Sequence, residues 1–190
     1  MSRLSTIRRK RAADHRALFL LEFDASSGGR EAHQPLFDQI AQAAQQSNGE
    51  LIEIQVGEDS AVVYAVVEHR AAEVLQGVFT HAGIQPKDVA EVRLVGPTLE
   101  DVKARKGGKA NYLVEWDLPS ELTMDQYLTN KKSKAHLYAN VPETTFMRTY
   151  VREDMVKCLC LYDAPDEDAV LRAREAVSTP VDRVTRLVTE

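Results

Sequence analysis

The sequence has few of the residues that hold small secreted domains together. It contains 2 cysteines among 190 residues, too few for the disulfide frameworks of extracellular proteins. Both fall in one predicted strand, as Cys158 and Cys160, where a mutual disulfide would be badly strained. We therefore expect free thiols and a cytoplasmic protein.

Long apolar runs are missing, and positive charge is concentrated at the N-terminus. No segment approaches the roughly 18 consecutive apolar residues of a membrane-spanning helix, so we expect no membrane partner. Residues 1–16 carry a net charge of +5, and the other 174 residues carry −10 of the total of −5. We interpret this basic tail as a solubilising arm and expect no nucleic-acid partner, although such an arm can also dock on nucleic acid, anionic lipid or the protein body.

What the sequence does contain is a repeat with a period of about 93 residues. The run FLLEFD at 19–24 recurs as YLVEWD at 112–117. Each copy continues with a helical stretch, two β-branched runs, a second helix and a last strand. A unit of about 80 residues buries only a marginal core by itself, so we expect the two copies to pack together.

The element order in each copy is βαββαβ, which is the ferredoxin-like plan of a four-stranded antiparallel sheet with both helices on one face. The fold class is therefore α+β. Because the other sheet face needs a partner, the copies are expected to form a pseudo-dimer, with the helices outside and a cavity in a sandwich or closed barrel. The predicted organisation is a tail at 1–16, repeat A at 17–96, a basic, Gly-containing, flexible linker at 97–110 and repeat B at 111–190.

Candidate site residues come from the strands of repeat B. Alternation along a strand places Glu115 and Asp117 on one face, and Cys158, Cys160 and Tyr162 on one face of another strand. We expect all five on the face where the copies meet. With Tyr150 from the neighbouring strand, the predicted ligand-binding set is Glu115, Asp117, Tyr150 and Tyr162, and the predicted metal ligands are Cys158, Cys160 and Asp117.

Several chemistries suit this set. Thiolates with a carboxylate suit nickel, zinc or another divalent transition metal. A carboxylate buried between apolar faces, such as Glu115, would have a raised pKa and could act as general acid or base, and a thiol beside a cation could be a nucleophile. Alternatively, Cys158 and Cys160 are small buried hydrophobes, and Glu115 belongs to a structural ion pair across the interface.

Repeat B also carries short motifs along its length. The two most specific motifs are Cys-x-Tyr-x-Ala-Pro at 160–165 and Pro-x-Asp-x-Val at 180–184. Further runs that match the family named below are Tyr112-Leu113-Val114-Glu115, Leu118-Pro119, Leu122-Thr123 and Thr149-Tyr150-Val151. On these motifs, repeat B resembles a small family of domains of unknown function whose best-known member is a nickel-binding, ferredoxin-like bacterial protein. The resemblance implies a ferredoxin-like fold, dimer-like association and nickel binding. Histidines at the end of that member's first strand fall on Trp116 and Asp117 here.

The sequence therefore predicts a protein that binds a transition-metal ion or a small ligand between two ferredoxin-like repeats. One alternative is an enzyme resembling the cofactor-independent monooxygenases and isomerases of dimeric α/β barrels, with Glu115 as the base. Another is a non-catalytic regulatory or assembly module. Self-association of whole chains is left open.

Overall fold

The computed structural model describes residues 16–24, 30–59, 62–105 and 108–189. Nearly all of the basic tail lies outside these residues. The elements, in chain order, are β1 (Ala17–Asp24), α1 (Arg30–Gln46), β2 (Glu50–Val56), β3 (Val62–His69), α2 (Ala72–His81), β4 (Asp88–Val95), α3 (Leu99–Lys103), β5 (Tyr112–Asp117), α4 (Met124–Lys134), a 3-10 helix (Ala135–Asn140), β6 (Thr145–Arg152), β7 (Lys157–Asp163), α5 (Glu167–Ala176) and β8 (Arg183–Arg186).

All eight strands belong to one antiparallel sheet in the order β2-β3-β1-β4-β6-β7-β5-β8. Each half of the chain contributes its four strands in the same order, second-third-first-fourth. The halves are joined where β4 pairs with β6. At the outer edges, Gly57 after β2 bridges Leu187 after β8, and the amide of Val188 donates to the Val56 carbonyl at 2.8 Å. The predicted α+β class with an antiparallel sheet is confirmed.

Helices cover one face of the sheet. In the first half, apolar side chains of α1 and α2 pack on alternate residues of β1, β2 and β3, with Ile40, Leu75 and Phe79 fully buried. In the second half, α4 and α5 cover β5, β6 and β7 in the same way. None of the described helices is long and apolar enough to cross a membrane.

The opposite sheet face, which we call the inner face, is covered by none of the four longer helices α1, α2, α4 and α5. It is largely filled by apolar and aromatic residues from both halves, namely Leu20, Tyr64, Val66, Val92, Leu113, Tyr150, Leu159, Leu161 and Leu187. Charged side chains share this face at both ends of the filled region. The halves therefore meet through a mainly apolar layer that is bounded by ion pairs.

Local signals explain most element boundaries. A capping box of Thr123 and Gln126 starts α4, and the Asp166 carboxylate accepts a hydrogen bond from the Ala169 amide at 2.8 Å at the start of α5. Pro35 lies inside α1, which begins at Arg30.

The predicted flexible linker contains an unpredicted short helix, α3. Thr98 caps this helix by accepting the Asp101 amide at 3.2 Å. Lys103 then pairs with Glu50 at 2.9 Å and with Glu68 at 3.4 Å, which ties α3 to β2 and β3.

Candidate functional site

The strand register separates the predicted site residues onto two faces of the sheet. Val114 pairs with Cys160, and Glu115 pairs with Leu159. Because directly opposed residues on paired strands point to the same face, the thiols share the helix-covered face with Val114, while Glu115 points to the inner face. The prediction that the thiols and the carboxylates share one face is wrong, since sequence alternation alone does not say which set in β7 points inward.

The predicted metal ligands are therefore not assembled. Cys158 and Cys160 are fully buried under the helices beside the cation Arg174, whereas Asp117 binds the Arg183 guanidinium on the other face. Across the described ranges, no three His, Cys, Asp or Glu side chains come together as a metal-binding group. A cation adjoining the thiols also opposes a divalent ion, so this set does not fit nickel.

On the inner face, Glu115 lies at the centre of an ion-pair network. Its carboxylate accepts hydrogen bonds from Lys157 Nζ at 2.9 Å, Arg183 Nε at 2.9 Å and Tyr64 Oη at 3.0 Å. Lys157 also donates a hydrogen bond to Glu22 at 3.2 Å. Glu22 is the equivalent of Glu115 in the first copy, because it precedes Phe-Asp there as Glu115 precedes Trp-Asp in the second copy. One ammonium group thus joins the two repeated glutamates.

The network keeps Glu115 ionised. Burial acts to raise the pKa of Glu115, but hydrogen bonds and charge from Lys157 and Arg183 outweigh it and hold the pKa below its usual value. Burial likewise acts to lower the pKa of Lys157, and its two glutamate partners raise it instead. The raised pKa that a catalytic base at Glu115 requires is absent, and the geometry is that of a structural ion pair.

A second charged group lies on the inner face around Glu53. Arg148 donates two hydrogen bonds to this carboxylate, each at 2.8 Å, and the Tyr150 hydroxyl donates to it as well. Burial raises the pKa of Glu53, but the contacts with Arg148 outweigh that effect, and the net pKa lies below its usual value. Tyr150 is therefore on the inner face, as predicted, and orients Glu53.

A cleft of about 460 Å³ opens beside Glu53 and Arg148. Its wall is built from both halves and from the segment that connects them, with apolar contributions from Ile52, Val102, Ala110 and Val188. Two further cations, Arg105 and Lys109, lie at its exposed rim. The cleft volume lies within the usual range for ligand pockets.

The last predicted ligand residue, Tyr162, lies in a third place, under the helices of the second half. Its hydroxyl is 2.7 Å from the Tyr138 hydroxyl and accepts a hydrogen bond from Arg174 Nη1 at 3.2 Å. The same nitrogen donates to Cys160 Sγ at 3.4 Å. Hydrogen bonding from Cys158 and the charges of Lys131 and Arg174 outweigh burial and hold the pKa of the Cys160 thiol below its usual value.

The structure thus places the four predicted ligand residues in three different locations. Sequence reasoning missed Glu53, Lys157, Arg174 and Arg183 as members of these clusters. A signal existed for two of them, because a charged residue inside an otherwise apolar strand or on the apolar side of a helix demands a partner. Glu53 lies between Ile52 and Ile54, and Arg174 follows the buried Ala173.

One comparison with a solved structure agrees with this fold. A chlorite dismutase-like protein, TA0507, shares 14% identity with a TM-score of 0.50, covering 91% of this chain and 94% of its own. A heme-binding protein from Thermus thermophilus shares 9% identity over 90% of each chain, with a TM-score of 0.45. At 14% identity the likeness to TA0507 concerns the fold alone. A search of curated proteins found no significant match.

The second half also matches a family description. SCO4226 from Streptomyces coelicolor A3(2) shares 16% identity, with a TM-score of 0.37, over 43% of this chain and 99% of its own. The model of the SCO4226-like family, described as nickel responsive protein SCO4226-like, matches residues 112–187. The predicted resemblance is confirmed: the second half of this chain resembles the SCO4226-like family.

Proposed function

We propose that the chain is a tandem pseudo-dimer of two ferredoxin-like units whose common sheet closes into a barrel. The strand orders support this, because each half repeats second-third-first-fourth. The two junctions also join equivalent strands: β4 pairs with β6 at one, and Leu187 after β8 bridges Gly57 after β2 at the other. A two-fold arrangement of repeats at 17–96 and 111–190 generates both junctions at once.

For function, we propose that this pseudo-dimer is a non-catalytic module that binds a small amphipathic anion in the cleft between its halves. The observation that carries the proposal is the cleft of about 460 Å³ at the junction. Among the described residues, apolar side chains and closed ion pairs fill much of the rest of the inner face, so this opening offers space for a ligand between the two halves.

The lining of the cleft supports an amphipathic anion as the ligand. Ile52, Val102, Ala110 and Val188 offer an apolar wall. Glu53 is neutralised by the bidentate contact from Arg148, so the rim cations Arg105 and Lys109 give the cleft a net positive charge. An apolar body with one negative group matches both features.

Catalysis by Glu115 and nickel binding by the thiols are not part of this proposal. Glu115 is held ionised by Lys157 and Arg183, whereas a base needs a pKa tuned towards neutrality. Cys158 and Cys160 lie apart from Asp117, on the other face of the sheet.

The test uses the fluorescent apolar anion 8-anilinonaphthalene-1-sulfonate as a probe and decanoate as a competitor. Wild type should bind the probe saturably and release it to decanoate. The double variant Arg105→Gln with Lys109→Gln should bind about tenfold more weakly, since two exposed charges together contribute about 1 to 2 kcal/mol.

The matched control is Lys87→Gln with Lys132→Gln, which removes two exposed positive charges that do not line the cleft. It should bind the probe as wild type does. Equal affinity in both double variants would mean that the probe binds elsewhere and would remove the basis of the proposal.

A further inference from the structure

A buried arginine without a carboxylate partner lies under the helices of the second half. Arg174 on α5 is 2% exposed. Its Nη1 donates to Tyr162 and Cys160, its Nη2 donates to the Pro180 carbonyl at 2.5 Å, and its buried Nε has no hydrogen-bond partner. Among the described residues, no carboxylate lies within ion-pair distance of it, although burying a guanidinium without a counter-charge costs several kcal/mol.

The fold itself does not require this polar group. In the first half, α2 buries Leu75 and Phe79, four residues apart, where α5 buries Val170 and Arg174. The strand register shows a second equivalence. Ala65 pairs with Leu21 of β1 in the first half, and Cys160 pairs with Val114 of β5 in the second half, so Ala65 is the equivalent of Cys160. The first half thus fills the corresponding layer with apolar side chains, and the second half departs from a pattern that packs well without charge.

The space beside Arg174 is open to solvent. A pocket with a cavity of about 60 Å³ is lined by Trp116, Tyr127, Lys131, Tyr138, Arg174 and Thr179. Lys131 Nζ lies 4.2 Å from the centroid of the Phe146 ring. It forms no ion pair with a carboxylate in the part of the chain that the structure describes. The cavity corresponds to roughly two water volumes, which suits a carboxylate group. The walls are aromatic.

We propose that this pocket binds a small aromatic acid, with its carboxylate in the cavity between Lys131 Nζ and the Arg174 guanidinium and its ring at the mouth of the cavity against Trp116 and Tyr127. The ligand would supply the counter-charge that the buried guanidinium lacks, and Lys131 would add a charge-assisted hydrogen bond. The site is distinct from the cleft between the halves, because the two share no lining residue.

One group within the protein competes with this assignment. Cys160 Sγ lies 3.4 Å from Arg174 Nη1 and also accepts from Thr149 Oγ1 at 3.2 Å. An ionised Cys160 would neutralise Arg174 from inside and leave the pocket without a need for an anion. The binding experiment separates the two arrangements.

Trp116 provides the readout, because it is the one tryptophan of the sequence and lines the pocket. Benzoate should change its fluorescence saturably, with a dissociation constant below about 1 mM, and neutral benzamide should bind at least about tenfold more weakly. Lys131→Gln, at a half-exposed position, should weaken benzoate binding by about tenfold. Arg172→Gln removes an exposed arginine of α5, the helix that carries Arg174. Arg172 pairs with Glu143, and this variant should bind benzoate as wild type does.

Arg174→Met should abolish benzoate binding. If the Arg174→Met protein does not fold, the Lys131→Gln measurement still decides the test. No saturable change up to about 10 mM benzoate would overturn the proposal and favour Cys160 as the counter-charge. Benzamide binding as tightly as benzoate, or benzoate binding that survives Lys131→Gln unchanged, would also overturn it. Arg105→Gln with Lys109→Gln should leave the benzoate titration unaltered, so failure here is independent of the cleft.

Discussion

The carboxylate of Glu115 holds the inner network together, and Glu115→Gln measures how much that charge contributes to stability. The substitution keeps the shape of the side chain and removes its charge. Lys157 and Arg183 each lose one charge-assisted hydrogen bond, at 2.9 Å in both cases. Lys157 keeps Glu22, at 3.2 Å, as its remaining carboxylate partner.

The magnitude follows from burial. The Glu115 side chain is 5% exposed and Lys157 is 12% exposed, whereas Arg183 is 47% exposed. Breaking a buried pair costs about 3 to 5 kcal/mol. Because Lys157 retains Glu22 and the half-exposed Arg183 retains Asp117, we expect a loss of about 2 to 3 kcal/mol. For a chain of this length, that corresponds to a lower Tm by about 4 to 12 °C.

Thermal unfolding at neutral pH, followed by circular dichroism, is the assay. Glu22→Gln is the matched control, because it changes the corresponding glutamate of the first copy. Glu22 accepts a single hydrogen bond from Lys157 at 3.2 Å, so this substitution should lower the free energy of unfolding by only about 1 kcal/mol. Adding Lys157→Met to Glu115→Gln should cost less than the sum of the single changes. An unchanged or higher Tm for Glu115→Gln would refute the ion-pair account and restore Glu115 as a strained functional carboxylate.

Three further expectations follow. Folding lowers the pKa of Glu53, so this carboxylate contributes stability above pH about 4.5 that is lost as the pH falls. The free energy of unfolding of Glu53→Gln, measured with urea, should therefore depend less on pH below about 5 than that of wild type. An equal pH dependence of the unfolding free energy in both proteins would contradict this. Asp166→Ala, which removes the cap of α5, should cost about 1 kcal/mol, and the exposed Asp168→Ala should cost less. Tag-free protein should contain well under one nickel ion per chain, with no further decrease in Cys158→Ser with Cys160→Ser; near-stoichiometric nickel that this variant loses would show that the thiols bind metal.

Much of the fold was predictable because its signals are local. The repeated runs at 19–24 and 112–117 each became the first strand of a half, and the Thr123 capping box starts α4. The short helix after Thr98 was missed, because five residues next to a glycine-containing basic segment resemble a linker. What holds that helix is tertiary, since Lys103 pairs with glutamates of β2 and β3.

The site was less predictable because it depends on which face of each strand points inward. In β7, Cys158 and Cys160 alternate with Leu159 and Leu161, and both faces of that strand are buried, so composition does not distinguish inside from outside. The contact of Glu53 with Arg148 joins residues 95 positions apart. The two residues lie on β2 and β6, which do not pair with each other, so their contact forms only when the inner-face side chains of the two halves meet.

Nuclear magnetic resonance mapping with decanoate tests the central claim, a ligand site between the halves, most directly. In uniformly 15N-labelled protein, decanoate should shift the backbone amide signals around the cleft in a saturable way, above all those of Lys109, Ala110 and Thr189. Residues far from the cleft, such as Asp125 on α4, should not respond. Saturable shifts confined to other regions, or no shifts at all, would contradict a ligand site between the two halves.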